Sequence, residues 1–391
     1  MKIVFFCIPA HGHTNPTLGV VRELISRGHE VWYYSYEPFR EKIENAGAKF
    51  ISCDACDAEK KLTPEEAARL GADLAFSTKI LVDTTLALDE MVCRDMTQLR
   101  PDCIVADSMA VWGKAAAMKL RIPFISSTTT FAFNQHSAGI MPQKPKDLLN
   151  MFLAIPRANR QVRRLRSHGY PVKNVLDIIS NDDSTHTIVY TSAEFQPMAD
   201  TFSKDHYSFV GPCVRPAQQE FQKTAPKLIY ISMGTVNNAM LPFYRTCIQA
   251  LGHTPWQVVI SVGNQVSLDD FGEIPPNISV YPSVDQIAVL KQSDAFLTHC
   301  GMNSVSEALY FGVPLIMDPK TKEQQGVAAR VAELGAGILL QGETEQKILS
   351  SLHKVLEDPT VRQQAERIMK SFRSCPGAAG AADKIESVYK R

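Results

Sequence analysis

Several features that often reveal a function are missing from this sequence. No apolar run approaches the roughly 18 residues of a membrane span, so we expect no stable membrane insertion. The 41 basic residues balance the 41 acidic residues, which leaves no overall charge to attract nucleic acid or a membrane surface. The 9 cysteines have no regular spacing, so we expect reduced thiols and a cytoplasmic protein rather than a disulfide framework.

Motifs for metals and for common cofactors are also missing. Cys53 and Cys56 form one C-x-x-C pair, but no second pair follows at the spacing of a zinc site. No Asp-x-Asp pair is present to hold a divalent cation. Neither half of the chain has a G-x-G-x-x-G turn after its first strand or a Walker P-loop, which argues against a dinucleotide oxidoreductase and an NTPase. We therefore predict no metal site and no cofactor.

The pattern that is present alternates short β-rich runs with amphipathic helical segments. A length of 391 residues corresponds to about two domains of typical size. The alternation runs through 1–212 and again through 227–374, which predicts an α/β fold with two doubly wound parallel sheets. The polar, proline-flanked segment 213–226 has the composition of a linker. A last helix, within 375–391, is expected to cross back to the first domain.

One stretch in the second half, 293–324, has the pattern of an anion site. An apolar strand at 295–298 leads into a glycine turn at 299–301, and a helix is predicted at 305–311. A strand, a glycine turn and a helix N-terminus together direct amide groups and the helix dipole toward one point. A phosphate group would fit there.

Three polar residues of this stretch extend the prediction from a phosphate to a nucleotide. Asn303 and Ser304 are good helix-capping residues, and Glu307 lies one helical turn below Asn303. A carboxylate in that position is suited to accept hydrogen bonds from two ribose hydroxyls. An ordinary strand-turn-helix crossover with a histidine in the core is the alternative.

These residues resemble a known signature. The donor-binding motif of family 1 UDP-sugar glycosyltransferases is similar to HCGMNS (299–304), Glu307, GVP (312–314) and Glu323-Gln324. The N-terminal motifs of the same family are similar to HGHTNP (11–16) and PDCIVAD (101–107). The likeness spans the whole chain and is closest to the bacterial macrolide and flavonoid glycosyltransferases. It implies the GT-B fold, in which two Rossmann-like domains face a central cleft.

Sugar transfer requires a base for the acceptor hydroxyl, and His13 is our candidate. It is predicted to lie in the turn after the first strand, and an imidazole titrates in the useful pH range. Asp107 ends a neighbouring strand, where it can hold the other ring nitrogen and fix the tautomer. The resemblance implies the same two catalytic residues. We expect His11 to have a structural role.

The resemblance also implies a donor site for a UDP-sugar as co-substrate, with no metal. Its predicted residues are Gly234, Thr235, Ser283, Val284, Gln286, His299, Gly301, Asn303, Ser304, Glu307, Glu323 and Gln324. Ser283 stands where many members have a tryptophan that stacks on uracil, so we expect backbone contacts and an apolar shelf to hold the base. Glu323 stands where many members have aspartate in the pair that binds sugar hydroxyls.

The segment from 128 to 171 is predicted to line the pocket for the acceptor. Its candidate contact residues are apolar: Phe131, Phe133, Met141, Met151 and Phe152. Five arginines follow between Arg157 and Arg166. They could meet a membrane or an anionic acceptor, but a solvated helix face is the favoured interpretation because the apolar partners are weakly periodic.

The leading interpretation is an inverting, metal-independent enzyme that transfers a hexose from a UDP-sugar to a hydrophobic hydroxylated small molecule. A flavonoid, a macrolide or another polyketide would suit such a pocket. A sugar-nucleotide epimerase or hydrolase of the same fold is one alternative. The other is a subunit that binds sugar nucleotides without catalysis, although binding alone needs neither His13 nor Asp107.

Overall fold

A computed structural model describes residues 1–56, 63, 66, 69–70, 73–137, 145–181, 184–235 and 238–389. The described residues form two compact units. The first consists of those in 1–213 together with 376–389, and the second of those in 214–375. The predicted acceptor residue Met141 lies outside the described residues.

The first unit is an α/β structure built on a seven-stranded sheet. Its strands are β1 (Lys2–Phe6), β2 (Glu30–Ser35), β3 (Lys49–Ser52), β4 (Cys103–Asp107), β5 (Phe124–Thr128), β6 (His186–Val189) and β7 (Tyr207–Phe209). Its helices before residue 214 are α1 (His11–Ser26), α2 (Arg40–Glu44), α3 (Leu74–Leu99), α4 (Val111–Leu120), α5 (Pro145–Ser167) and α6 (Leu176–Ile179), with 3-10 turns at Glu37–Phe39, Asp54–Cys56 and Ala199–Thr201.

This sheet is covered on both faces. All its strand pairs are parallel, in the order β3-β2-β1-β4-β5-β6-β7. Side chains alternate along β1, so Phe5 packs with Leu24 of α1 on one face, whereas Phe6 packs with Trp112 of α4 on the other. Each fully buried aromatic side chain of this kind stabilises the fold by roughly 1.5–3 kcal/mol.

The second unit repeats the arrangement with a six-stranded sheet. Its strands are β8 (Leu228–Ser232), β9 (Gln257–Ser261), β10 (Ile278–Tyr281), β11 (Ala295–Thr298), β12 (Leu315–Met317) and β13 (Gly337–Leu339). Its helices are α7 (Leu241–Leu251), α8 (Gln286–Leu290), α9 (Met302–Tyr310), α10 (Lys322–Glu333), α11 (Glu345–Glu357) and α12 (Pro359–Ser374), with a 3-10 turn at Leu268–Phe271.

The strands of the second sheet are also all parallel, in the order β10-β9-β8-β11-β12-β13. Ile229 and Ile231 of β8 pack with Tyr244 and Leu251 of α7 on one face. The ring of Tyr230, which points to the opposite face, stacks on Phe296 of β11 with centroids 4.7 Å apart. The order of both sheets is that of a dinucleotide-binding fold, as the alternation in the sequence predicted.

The last helix, α13 (Gly377–Tyr389), packs within the first unit. Ala381 and Ile385 enter the same apolar cluster as α1 and β1. Arg27 at the end of α1 binds Asp383 at 2.6 Å, and His29 binds Glu386 at 2.9 Å. The helix thus completes one face of the first sheet.

Two helices begin earlier than the sequence predicted. Helix α1 begins at His11, not near residue 17, so His13 lies in its first turn and not in a preceding loop. Pro16 lies inside this helix, in its second turn, where it removes one backbone hydrogen bond and crowds the carbonyl of the preceding turn. Helix α9 begins at Met302 with Gly301 as its N-cap, so Asn303 and Ser304 are helical and do not act as caps.

None of the helices in the described part of the chain is long and apolar enough to cross a membrane.

Candidate active site

Each sheet has a point where the chain crosses over in opposite directions from two adjacent strands. In the first sheet this point lies between β1 and β4, and in the second it lies between β8 and β11. The loops that leave such strands diverge to opposite faces and open a crevice at the carboxyl edge, which is where open α/β sheets bind ligands. The predicted catalytic residues follow or end β1 and β4, and most of the predicted donor residues follow β8 and β11. The donor residues at 283–286 follow β10 instead, and those at 323–324 follow β12.

In the first unit this edge holds a histidine–aspartate pair. His13 Nδ1 lies 2.7 Å from Asp107 Oδ2, with side-chain exposures of 19% and 1%. The other carboxylate oxygen, Asp107 Oδ1, accepts a hydrogen bond from the amide of Met109 at 2.9 Å. Because a carboxylate accepts hydrogen bonds, Nδ1 carries the proton in the neutral ring and Nε2 is left as the basic nitrogen.

Thr129 is a third member of this cluster that sequence reasoning missed. Its hydroxyl lies 3.1 Å from His13 Nδ1, and the side chain is buried. Thr129 follows β5, which pairs with β4, so its position at the same edge is a consequence of strand order. A polar residue directly after a predicted strand was the available signal.

His11 lies apart from this pair. Its ring packs against Phe39 with centroids 4.9 Å apart, and its Nδ1 lies 3.3 Å from Lys42 Nζ. Partial burial and the neighbouring ammonium group lower the pKa of His11. A structural role for His11 remains our prediction.

In the second unit the carboxyl edge holds His299 between two glycines. A Cβ atom built on Gly234 would lie 2.5 Å from His299 Cε1, and one on Gly301 would lie 2.7 Å from His299 Nε2. Gly234 also has a φ of +85°, a conformation that glycine adopts without strain. The imidazole can therefore occupy this edge only because both neighbours lack a side chain.

Burial lowers the pKa of His299 to about 4, an effect that a hydrogen bond with the backbone of Ser232 partly opposes. The ring is neutral at pH 7. Its Nδ1 is buried with no hydrogen-bond partner in the protein.

The residue between His299 and the helix has an uncommon backbone conformation. Cys300 is buried, and its φ of +67° lies in the left-handed region that residues other than glycine seldom adopt. The chain turns there into α9, whose N-cap Gly301 offers no side-chain acceptor to the first amide groups. The N-terminus of α9 can therefore bind an external anion.

Glu307 of α9 belongs to a polar network at the same edge. Gln286 Nε2 donates to Glu307 Oε2 at 2.6 Å, and the hydroxyl of Tyr230 donates to Gln286 Oε1 at 3.2 Å. Burial raises the pKa of Glu307, whereas the hydrogen bond from Gln286 and the cation of Arg215 oppose that rise. The network fixes the orientation of the carboxylate.

Gln324 has a structural partner that the sequence prediction did not include. It is the third residue of α10 and forms a capping box with Thr321, because its Oε1 accepts from the amides of Thr321 at 3.1 Å and Lys320 at 2.8 Å. The same oxygen cannot turn freely toward a sugar hydroxyl. Glu323 is exposed in the first turn of this helix.

The remaining predicted donor residues lie in loops at this edge. Thr235 and Ser283 are exposed, and Val284 is partly exposed. A further residue, Asn238, was missed: its side-chain amide donates to the carbonyl of Gly234 at 3.0 Å and supports the turn beside His299.

The predicted acceptor residues have different environments. Phe131 is buried against the ring of Phe195, with centroids 5.6 Å apart, whereas Phe133 and Phe152 are exposed. Met151 lies in α5. The arginines of α5 are exposed, and Arg164 pairs with Asp83 at 2.6 Å.

Among the residues that the structure describes, no group of three or more His, Cys, Asp and Glu side chains is arranged to hold a metal ion.

Solved structures share this architecture over the full chain. The glycosyltransferase of kitacinnamycin has a TM-score of 0.86 at 26% identity and covers 99% of this chain and 98% of its own. The calicheamicin glycosyltransferase CalG4 has a TM-score of 0.85 at 27% identity and covers 100% of this chain and 98% of its own. The fold is therefore GT-B, and the class of protein is a glycosyltransferase, as the sequence predicted.

Sequence relatives identify the family. NDP-glycosyltransferase YjiC of Bacillus licheniformis is 33% identical over 400 residues, which cover 98% of this chain and 97% of the relative. Demethyllactenocin mycarosyltransferase of Streptomyces fradiae is 32% identical over 399 residues, covering 99% of this chain and 86% of the relative. Residues 245–388 match the family model "Erythromycin biosynthesis protein CIII-like, C-terminal domain". The chain belongs to the family 1 glycosyltransferases, in the bacterial natural-product subgroup.

We predict that Gly234→Ala abolishes most of the activity by displacing His299. The new methyl group would overlap the imidazole, and the positive φ would add strain. Gly272→Ala is the matched control, because Gly272 has a φ of +68° but no atom within 4 Å of its Cβ position. Steady-state kinetics and denaturant unfolding of both variants separate the two effects. An equal loss of activity in both variants would mean that backbone strain, and not displacement of His299, causes the loss.

Proposed function

We propose that this enzyme transfers a hexose, glucose in the first instance, from a UDP-sugar to a hydroxyl group of a hydrophobic small molecule. The reaction inverts the anomeric configuration and needs no metal ion. The observation that carries the proposal is the contact between His13 and Asp107 at the carboxyl edge of the first sheet. Binding a nucleotide alone would require no such pair.

In this proposal His13 is the general base. Asp107 holds the Nδ1–H group, so the lone pair of Nε2 is available to the proton of the acceptor hydroxyl. As the acceptor oxygen forms its bond to the anomeric carbon, its proton passes to Nε2 and the bond from that carbon to the diphosphate breaks. The buried Asp107 carboxylate stabilises the imidazolium that results.

The second unit is proposed to bind the donor and stabilise its leaving group. The N-terminus of α9 supplies hydrogen-bond donors for the diphosphate, where negative charge develops, and the neutral ring of His299 lies beside it at the same edge. Glu307, held by Gln286, would accept hydrogen bonds from the ribose hydroxyls. These donors are the reason we propose metal independence.

The proposed inversion of the anomeric configuration follows because the acceptor oxygen displaces the diphosphate in a single step. A retaining mechanism by double displacement needs a side-chain nucleophile as well as a base. His13, with its partner Asp107, supplies one base, and the family resemblance implies the same outcome. An α-linked donor would then give a β-glycoside.

The acceptor class is proposed from the relatives and from the surface of the first unit. One relative is named for a demethyllactenocin substrate and one structure for calicheamicin. Met109, two residues after Asp107, is 51% exposed, and Phe133 is 37% exposed. Exposed apolar side chains in the segments that follow Asp107 and Thr129 suit a flavonoid, a macrolide or another polyketide that carries a hydroxyl group. The reaction is expected to take place in the cytoplasm.

The direct test is mass spectrometry of the protein mixed with UDP-glucose and a panel of small polyphenols and macrolides, with excess EDTA. We expect products heavier by one hexose, at the same rate with and without the chelator. A strict requirement for Mg²⁺ or Mn²⁺ would contradict the leaving-group argument. Release of free glucose from UDP-glucose with no glycoside on any acceptor would instead indicate a hydrolase.

His13→Ala is expected to lower the rate of transfer by about 100-fold or more, the range for a positioned general base. Asp107→Asn should lower it less, because the ring remains but loses the carboxylate that orients it. His11→Ala should have the smallest effect. Steady-state rates with saturating UDP-glucose give the comparison. An inactive His11→Ala with an active His13→Ala would show that the base is assigned wrongly.

Ser283 predicts loose discrimination between nucleobases. A stack of a base on an aromatic ring contributes roughly 1–3 kcal/mol, or about 5- to 100-fold in affinity, and serine provides none of it. We expect UDP-glucose to be the best donor and TDP-glucose to be usable within that range. Ser283→Trp should tighten UDP binding if the exposed loop accepts the ring.

Calorimetry with UDP and TDP on the wild type and Ser283→Trp is the measurement. High selectivity for UDP in the wild type that is unchanged in the variant would show that backbone contacts already recognise the base.

A further inference from the structure

The segment that enters the second unit, residues 215–219, is tied to one buried carboxylate. Asp285 Oδ1 accepts from Arg215 Nη2 at 2.6 Å. Asp285 Oδ2 accepts from the amides of Gln218 at 2.6 Å and Gln219 at 3.0 Å. The Asp285 side chain is 5% exposed, so its charge depends on these donors rather than on water.

Asp285 lies directly before the polar network of the donor site. It occupies the N-cap position of α8, yet its side chain makes no cap bond because both oxygens bind the 215–219 segment. The next residue, Gln286, donates to Glu307. Three hydrogen bonds therefore fix the Asp285 carboxylate. Because Gln286 is the next residue, they also fix the position of its backbone and the range of its side-chain amide.

Arg215 also acts on Glu307 through its charge. Burial raises the pKa of Glu307, as does the nearby charge of Asp285 to a smaller extent, whereas the hydrogen bond from Gln286 and the cation of Arg215 lower it. The other groups at Glu307 are Gln286, which donates to it, and Tyr230, which donates to Gln286. Arg215 is thus the cation that opposes protonation of this carboxylate.

We propose that Arg215 and Asp285 are a positioning pair for the ribose side of the donor site. They fix Gln286 and, through it, the carboxylate of Glu307. The inference rests on the proposed function, in which Glu307 binds the ribose of a UDP-sugar. Neither residue needs to touch the nucleotide. A segment with the composition of a linker thereby becomes part of the recognition of the donor.

Arg215→Met tests the pair, because methionine keeps an apolar stem and removes the charge. The matched control is Lys223→Met, which removes a cation that binds Asp294 at the amino end of β11, on the opposite edge of the same sheet. Calorimetry should use two probes, UDP and inorganic pyrophosphate, which lacks the ribose. We expect Arg215→Met to lower the affinity for UDP about 10-fold, which is the effect of losing a charge-assisted hydrogen bond. The affinity for pyrophosphate should fall less than about 2-fold.

The pH profile separates positioning from loss of structure. UDP binding should weaken as pH falls and Glu307 becomes protonated. Without the Arg215 cation the pKa of Glu307 is higher, so this weakening should begin at a higher pH in Arg215→Met. Arg215→Lys should restore the wild-type profile, and Lys223→Met should not change it.

Asp285→Asn is the second variant if Arg215→Met is poorly folded. It keeps the shape of the side chain but removes the charge that pairs with Arg215. It should also lower the affinity for UDP more than the affinity for pyrophosphate. Two outcomes would overturn the inference and leave the proposed function standing. One is unchanged UDP binding in folded Arg215→Met or Asp285→Asn, and the other is an equal loss of affinity for UDP and pyrophosphate. Failure of the wild type to bind UDP would overturn the proposed function and the inference with it.

Discussion

The direction of the strands is the constraint on which the sites depend. In a sheet whose strands are all parallel, every strand ends at the same edge, and crossovers that leave two adjacent strands in opposite directions cannot fill the space between them. The chain uses this geometry twice, between β1 and β4 and between β8 and β11. Residues far apart in sequence, such as His13 and Asp107, meet because their strands are neighbours.

Within the second unit, the environment of His299 depends on how closely the neighbouring backbone packs against its ring. His299 lies where any side chain at residue 234 or 301 would overlap its ring. Packing of that density removes water from the imidazole and lowers its pKa to about 4, so that the ring is neutral at pH 7.

The sequence predicted most of this arrangement because its signals are local. Alternating strands and helices gave the two sheets, and short motifs gave the edge residues. The errors have physical causes. The apolar periodicity begins only at Leu18, so it placed the start of α1 near residue 17, whereas the helix begins at His11 and contains Pro16. The capping box that Gln324 forms with Thr321 was not predicted, and the role of Gln324 in donor binding stays a prediction. The bond between Arg215 and Asp285 joins residues 70 positions apart, and no local pattern indicates it.

The C-terminal helix α13 has a consequence for how the protein is made. Ala381, Ala382 and Ile385 complete an apolar cluster whose other buried members all lie between residues 3 and 210. A ribosome must therefore synthesise the whole second unit before the first can cover that surface. During this interval the apolar face of α1 and β1 stays open to water or to a chaperone. The described residues of the second unit all lie within 214–375, uninterrupted by residues of the first unit, and none of them belongs to α13.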